Sequence, residues 1–298
     1  MQIGLMGLGK MGYNLALNMK EHDHQVVVFN RSKDKVDQAV KDGLKGAYSF
    51  AELVEQLPSR KAIWLMLPAG NPVDDAIKQL IPLLKKDDII IDGGNSNYKD
   101  TIRRAEYLQG LGLSFVDIGT SGGIEGARNG ACAMIGAEAE VFQYLEPLLR
   151  DICVEKGYIH AGQYGAGHFV KMVHNGIEYG MMQAIGEGFE VLQSCRYDLD
   201  LREVARVFNH GSVIRSWLME LAEKALSQDP QLESIKGVMH SSGEGLWTLQ
   251  EALELRVPVP VIADSVFMRY RSLQEDTFSG KVVAALRNQF GGHAVERR

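Results

Sequence analysis

A glycine triplet stands close to the start of the chain. The stretch "GLGKMG" supplies Gly7, Gly9 and Gly12 in G-x-G-x-x-G spacing, directly after the apolar run "QIGLM" and directly before the helical pattern "YNLALNM". Strand, glycine-rich turn and helix in that order commit the chain to open with a βαβ unit. The first glycine permits a tight turn, the second lets the backbone approach a pyrophosphate, and the third lets helix and strand pack closely. The helix amino terminus then presents free N–H groups and a partial positive charge to an anion. The spacing alone also occurs in purely structural turns. The flanking strand and helix are what tie it to a dinucleotide.

Further along, "QVVVF", "AIWLML", "DIIID", "LSFVDIG" and "ACAMIG" alternate with helical stretches up to about residue 160. Such alternation indicates an α/β domain with a doubly wound, mostly parallel sheet of the Rossmann type. After "GQYGAG" (162–167) long helical patterns take over and strand signal vanishes, so an all-α domain is expected to follow. The expected boundary lies near Gly165, giving domains 1–164 and 165–298. Pro258 and Pro260 in "RVPVPVI" should interrupt the helices there. The 298 residues suffice for two such domains.

Composition removes several functional classes. Lys and Arg total 32 against 38 Asp and Glu, a formal charge of -6, which argues against binding nucleic acid. No apolar run is long enough to cross a bilayer. The three cysteines, Cys132, Cys153 and Cys195, lack the paired spacing of a metal site and are expected to be reduced, mostly buried packing residues. Met1-Gln2-Ile3-Gly4 leads straight into a strand pattern without room for a signal peptide, so a cytoplasmic address is expected.

The end of the second strand selects between dinucleotides. An acidic residue there would bond the ribose 2′-hydroxyl and repel a 2′-phosphate. This chain has Asn30 instead, followed by Arg31, Ser32 and Lys33, which offer two cations and a hydroxyl. NADP is therefore expected over NAD, with NAD as the second choice; a solvated polar turn is the plainer alternative.

A second signature is "HFVKMVHNGIEYG" (168–180). At about 100° per residue, with Lys171 at zero, His174, Asn175 and Glu178 fall near 300°, 40° and 340°, all on one helical face. Val170, Val173 and Ile177 fall on a separate apolar stripe, which is expected to be the buried side. The helix thus holds a possible base, a possible acid and two orienting groups in fixed relation. An exposed helix carrying ordinary polar contacts is the competing interpretation.

Taken together these segments resemble the 6-phosphogluconate dehydrogenases, the decarboxylating enzymes of the oxidative pentose phosphate pathway. "GLMGLGKMGYNLALNM" and "NRS" look like the family's cofactor motifs, bringing in Leu8, Lys10 and Met11 beside the three glycines. "DGGNSNY" (Asp92 to Tyr98), "GTSGGIEGARNGACAMIGA", "GAGHFVKMVHNGIEYG" and "LRNQFGGH" look like further family segments. The length resembles the branch with a single helical unit. The resemblance implies oxidation of the substrate's C3 hydroxyl, loss of carbon dioxide, and ribulose 5-phosphate as product, with no metal. It implies Lys171 as general base and then acid, and Glu178 as the group that protonates carbon. Such a lysine must begin neutral, which burial favours. Asn95 would lie between cofactor and substrate, Ser121, Gly122 and Gly123 at the substrate carboxylate, His174 and Asn175 on its hydroxyls and carboxylate, and Tyr179 at its phosphate. Arg287 and His293 would reach a neighbouring subunit's site, implying a homodimer or dimer of dimers.

Two positions depart from the family pattern. Leu246 in "GEGLWT" stands where longer members carry a phosphate-binding lysine, and Thr277 stands near a missing arginine. Arg269, Arg271, Lys281 or Arg287 are the candidates to compensate. The competing functions are a 3-hydroxyisobutyrate-type β-hydroxyacid dehydrogenase, a dehydrogenase of an unphosphorylated sugar acid, and a non-catalytic dinucleotide sensor on the same scaffold.

Overall fold

A computed structural model of the chain describes residues 1–297. Its first half alternates strand and helix: β1 (Gln2–Met6), α1 (Lys10–Glu21), β2 (Gln25–Phe29), α2 (Lys33–Lys41), β3 (Lys45–Ala47), α3 (Phe50–Glu55), β4 (Ala62–Leu65) and α4 (Asn71–Leu80). There follow β5 (Ile89–Asp92), α5 (Tyr98–Gln109), β6 (Ser114–Ser121), α6 (Gly123–Asn129), β7 (Ala131–Gly136), α7 (Ala139–Ile152) and β8 (Cys153–Gly162). The strands form one sheet in the order β3-β2-β1-β4-β5-β6-β7-β8. Every pairing is parallel except β6 with β7. The strand order reverses between β1 and β4, so a crevice opens beyond their carboxyl ends, the usual ligand position in such sheets.

Side-chain alternation explains the near-continuous apolar strands. Ile3, Leu5, Val26, Val28, Trp64, Ile89 and Ile91 join a core on one face. Met6, Val27, Ile63, Leu65 and Ile90 join a core on the other. With helices covering both faces, the central strands are apolar at nearly every position, the buried Asp92 on β5 and Asp117 on β6 being exceptions. The strands read from the sequence as β1, β2, β4, β5, β6 and β7 are present. The short β3 and the edge strand β8 carry no such signal, and β8 is largely exposed, so its residues show no burial pattern to read.

The chain divides into two compact units at His174 and Asn175. That division falls inside α8 (Ala166–Gln193), further along than the sequence boundary near Gly165. The reason is close packing at the start of α8. A side chain at Gly167 would bring its Cβ to 2.4 Å from the Met134 carbonyl oxygen, and one at Gly119 would lie 2.3 Å from Lys171 Cβ. The second unit holds only helices: the rest of α8, then α9 (Leu201–Asn209), α10 (Trp217–Gln228), α11 (Glu244–Leu255), α12 (Pro260–Ser272) and α13 (Phe278–Gly291). Its small core joins Ala205, Met219 and Leu226. Arg256 ends α11 in a left-handed conformation and Pro260 begins α12, so the two prolines do interrupt the helices.

Two expectations are corrected. The apolar stripe of α8 is the exposed one: Val170 and Ile177 are 39% and 54% exposed, whereas Lys171 is 5% exposed. The polar face is the one turned inward because only there do glycines let the helix approach β6. Of the three free cysteines only Cys153 is buried; Cys132 is exposed on β7. Burial pushes the Cys153 thiol up to about 12.

Replacing Gly167 by alanine should lower stability by about 1–3 kcal/mol through overpacking against the Met134 carbonyl. A thermal melt read by tryptophan fluorescence checks this, and an unshifted midpoint would contradict the close approach.

Candidate active site

The glycine-rich turn is shaped for a ligand. Gly7 has φ of 102°, and a Cβ there would lie 2.3 Å from the Met66 carbonyl oxygen. A Cβ on Gly12 would lie 2.0 Å from the Gly7 carbonyl oxygen, so the third glycine is required by packing. A Cβ on Gly9 would meet nothing within 4 Å. The second glycine therefore borders open space at the amino end of α1, where a pyrophosphate fits. Leu8 is buried and its N–H donates to Asn30 Oδ1 at 2.9 Å. Asn30 is thus a brace that joins the end of β2 to the turn. Lys10 is exposed and Met11 packs against the core.

Beside the turn lies a cleft of about 680 Å³, lined by Gly7, Asn30, Arg31, Ser32, Lys35 and Pro68 among others. Phe29 and Phe50, with ring centroids 4.9 Å apart, form part of its wall. Lys35 rather than Lys33 is the lysine of the cleft lining, two residues further along than the strand-end motif suggests.

The loop after β5 is built around buried charge. Arg104, 2% exposed, bonds Asp74 through Nε at 2.9 Å and Nη2 at 3.1 Å, and its Nη1 reaches Ser96 Oγ at 3.3 Å. Those bonds hold the Asp74 carboxyl below the usual carboxylate range. Ser96 donates to Asp92 Oδ2 at 2.7 Å and Gly94 N donates to Asp92 Oδ1 at 3.0 Å. Held this way, Asn95 adopts a left-handed φ of 53°. Its amide then brackets Thr120, donating to the carbonyl at 3.3 Å and accepting from the N–H at 3.0 Å. Asn95 ties the β5 loop to the end of β6, next to Ser121.

Ser121, His174 and Lys171 meet in a chain. Ser121 Oγ is 3.2 Å from His174 Nε2, and His174 Nδ1 is 3.3 Å from Lys171 Nζ. An ammonium donates only. With Lys171 charged, Nδ1 accepts and Nε2 carries the proton toward Ser121; with Lys171 neutral, the opposite tautomer is also allowed. A buried amine coupled to an imidazole can take up a proton and pass it on. Gly122 and Gly123 follow Ser121 with φ of 104° and 59°, and a Cβ on Gly123 would meet nothing within 4 Å.

Behind Lys171 stands Asp117, fully buried. Its Oδ1 accepts from Gly165 N at 2.6 Å and its Oδ2 from His168 N at 2.7 Å, which caps the first turn of α8. Burial pushes its carboxyl above the usual range; His168 and the two N–H groups pull the other way without prevailing.

In the second unit, Tyr179 is 6% exposed, and its hydroxyl lies 3.1 Å from Ser242 Oγ and accepts from Ser242 N at 3.2 Å. Ser242 Oγ also donates to Glu244. The Arg269 guanidinium lies 3.6 Å from the centre of the Tyr179 ring, with Nη1 donating to the His240 carbonyl at 2.8 Å. Of the four cations weighed from the sequence, Arg269 is the one on Tyr179. Lys281 pairs with Asp276 at 2.9 Å, and Arg271 bonds the Gln274 carbonyl. Thr277 caps α13. Arg287 and His293 are exposed, the latter bonded through its carbonyl to Asn288. Asn175 and Glu178 are half-buried on α8. Among the described residues no cluster of His, Cys, Asp and Glu could hold a metal ion. No described helix is long and apolar enough to cross a membrane.

Comparison with known families supplies the deciding observation. Residues 2–162 match the NAD binding domain of 6-phosphogluconate dehydrogenase, and residues 167–285 match its C-terminal domain. The chain belongs to the 6-phosphogluconate dehydrogenase family. It is 54% identical over 298 residues to YqeC of Bacillus subtilis, which bears the 6-phosphogluconate dehydrogenase name provisionally, covering 100% of both chains. It is 43% identical to an NAD-dependent, decarboxylating 6-phosphogluconate dehydrogenase of Haloferax volcanii, covering 100% of this chain and 99% of the relative. The structure of the Plasmodium falciparum 6-phosphogluconate dehydrogenase superposes with a TM-score of 0.86 at 29% identity, covering 100% of this chain and 66% of that one. A 3-hydroxyisobutyrate dehydrogenase of Salmonella typhimurium shares the fold, with a TM-score of 0.75 at 18% identity and coverage of 91% and 93%. This member of the family is an oxidoreductase with a nicotinamide dinucleotide domain.

Sequence reasoning overlooked Asp117, Arg104, Lys35, Ser242 and Glu244. A signal existed for Asp117 and Asp92, since each interrupts an apolar strand. None existed for Glu244, whose meaning depends on Tyr179 being beside it.

Because the folded value of Asp117 is raised, its contribution to stability is fully present below the ordinary value of 3.8 and is lost as pH rises through the folded value. The melting-temperature advantage of the parent over Asp117→Asn should therefore shrink between pH 4.5 and pH 8. An advantage that grows across that range would contradict the direction.

Proposed function

We propose that this family member catalyses oxidative decarboxylation of 6-phosphogluconate to ribulose 5-phosphate and carbon dioxide with reduction of NADP, in the cytoplasmic pentose phosphate route. The observation that carries the reading is the buried Lys171 amine, 3.3 Å from His174 and linked through it to Ser121. In this reading residues 1–164 hold the dinucleotide, and residues 165–298 serve the substrate and subunit assembly.

The dinucleotide, bound at Gly7, Gly9 and Gly12 with Leu8, Lys10 and Met11 around them, supplies the hydride acceptor. Lys171 takes the proton of the C3 hydroxyl as hydride leaves that carbon, and the product is a β-keto acid. The ammonium so formed then stabilises, and protonates, the C3 oxygen as the carboxylate departs as carbon dioxide. Glu178 delivers a proton to the carbon that bore the carboxylate, while Lys171 recovers one from the enediol oxygen. Ser121, Gly122 and Gly123 bind the carboxylate, His174 and Asn175 the hydroxyls, and Asn95 keeps cofactor and substrate loops in register. Tyr179 and Arg269 bind the phosphate. Arg287 and His293, exposed in one chain, serve a second copy's site in a homodimer or a dimer of dimers.

Measured with purified protein, 6-phosphogluconate should drive NADPH formation with equimolar carbon dioxide, and 3-hydroxyisobutyrate should not. Lys171→Met should reduce turnover by at least about 10²-fold, the range for loss of a general base, with NADP affinity retained. Glu178→Gln should slow release of the final product. Turnover of 3-hydroxyisobutyrate alone would overturn the assignment.

Arg31, Ser32 and Lys35 in the cleft lining support a 2′-phosphate, whereas the NAD-dependent Haloferax volcanii relative makes the choice worth measuring. Arg31→Ala should raise the KM for NADP by about tenfold, in keeping with loss of a charge-assisted contact, and leave that for NAD within twofold. Equal or better efficiency with NAD in the parent protein would refute the preference.

A further inference from the structure

The cleft beside the glycine-rich turn has two polar regions. Its wall on α4 is made by Pro72, Asp75, Ala76 and Gln79. These residues stand at i, i+3, i+4 and i+7, a single stripe of the helix. Ala76 also belongs to the buried face with Val73, Ile77 and Leu80, so α4 is anchored with Asp75 and Gln79 at the cleft's edge. The other polar side chains of the lining are Asn30, Arg31, Ser32 and Lys35, all at the end of β2 and the start of α2. The rest of the lining is apolar, with Phe29, Phe50, Leu67 and Pro68 among its members.

A planar base suits such a slot, because its faces meet apolar walls while its polar edge needs hydrogen-bond partners. Arg31, Ser32 and Lys35 serve the 2′-phosphate, and Asn30 is committed to Leu8 N–H and the Ser32 carbonyl. The side chains left for the base edge are Asp75 and Gln79. Asp75 Oδ1 lies 3.8 Å from Lys78 Nζ on its own helix, and among the described residues it makes no ion pair with Arg31 or Lys35. A carboxylate in an ion pair only accepts. Gln79 Nε2 donates to the Asp75 carbonyl at 3.4 Å, and an amide can turn to offer either a donor or an acceptor.

We propose that Asp75 selects the adenine base of the coenzyme by accepting from its exocyclic amino group, while Gln79 supports the neighbouring ring nitrogen without choosing between bases. The inference rests on the reading above that places the coenzyme's 2′-phosphate, and hence its adenosine end, in this cleft. Adenine carries an amino donor beside a ring nitrogen that accepts. Hypoxanthine reverses both, with a carbonyl beside a ring N–H. Gln79 can turn to meet either ring nitrogen. Asp75 cannot adapt, so the hypoxanthine carbonyl would face a carboxylate with no proton between them.

Titration calorimetry on the full-length protein compares NADP with its hypoxanthine analogue, deamino-NADP, so the result does not depend on turnover. The parent should bind NADP about tenfold more tightly, the scale of one hydrogen bond to a charged group. Asp75→Ala should bring the two within about twofold by weakening NADP, and Asp75→Asn, whose amide meets either base, should reach the same ratio without that loss. Gln79→Ala should weaken both coenzymes alike and keep the parent ratio. Equal binding of the two bases by the parent overturns the inference and leaves the proposed function standing. So does a base ratio that survives Asp75→Ala, whether both coenzymes weaken together, as a merely structural role requires, or only the ratio of NADP to NAD moves, as charge balance at the 2′-phosphate requires. Should the parent prefer NAD, the same comparison with NAD and deamino-NAD decides the base inference, and only the coenzyme preference of the proposed function falls.

Discussion

The Asp117 carboxylate is the contact on which the placement of Lys171 and His174 depends. It is buried inside the sheet, it accepts the N–H groups of Gly165 and His168, and so it pins the start of α8 to β6. A buried carboxylate is costly unless its oxygens are satisfied. Here both are, by backbone donors that the helix start has to spare. Space for the contact comes from glycine. A Cβ at Gly136 would lie 2.3 Å from Asp117 Oδ1, and Gly167 and Gly119 remove the side chains that would otherwise separate helix from strand. Lys171 is consequently held against β6, one turn into the helix, with bulk water excluded.

The β5 loop obeys the same logic. Arg104 is a buried cation whose donors are divided between Asp74, Ser96, the Gly70 carbonyl and, at 3.5 Å, Asp92. Removing one partner from such a set would strand a charge, which is why the loop keeps one shape. That shape delivers Asn95 to Thr120 and makes the ends of β5 and β6 a single rigid edge beside the dinucleotide turn. Asn30 does the equivalent at the end of β2. Two asparagines that read from sequence as ligand contacts are, in the fold, also the braces that set where the ligand-facing backbone lies.

The second unit has a smaller core and a different character. Its polar chemistry is concentrated on Tyr179, where a stacked guanidinium and a serine-relayed carboxylate approach the same ring from different elements.

How much of this was legible in the sequence follows from the range of each interaction. Gly7, Gly9 and Gly12 announced the cradle because a turn, a strand and a helix amino terminus are local objects. The alternation of apolar segments announced the sheet because both of its faces are covered. Residues 171 to 179 announced a polar helix face, since helical periodicity is also local. The sequence by itself could not say which face of α8 is buried. That was decided where Gly167 meets β6, with Asp117 and Gly119 far earlier in the chain than the helix they orient, and the apolar stripe it favoured turned out to be the exposed one. Nor could it pick Arg269 from four candidate cations or give Glu244 any meaning, because charge acts through space and only the folded chain brings Ser242 between that carboxylate and Tyr179.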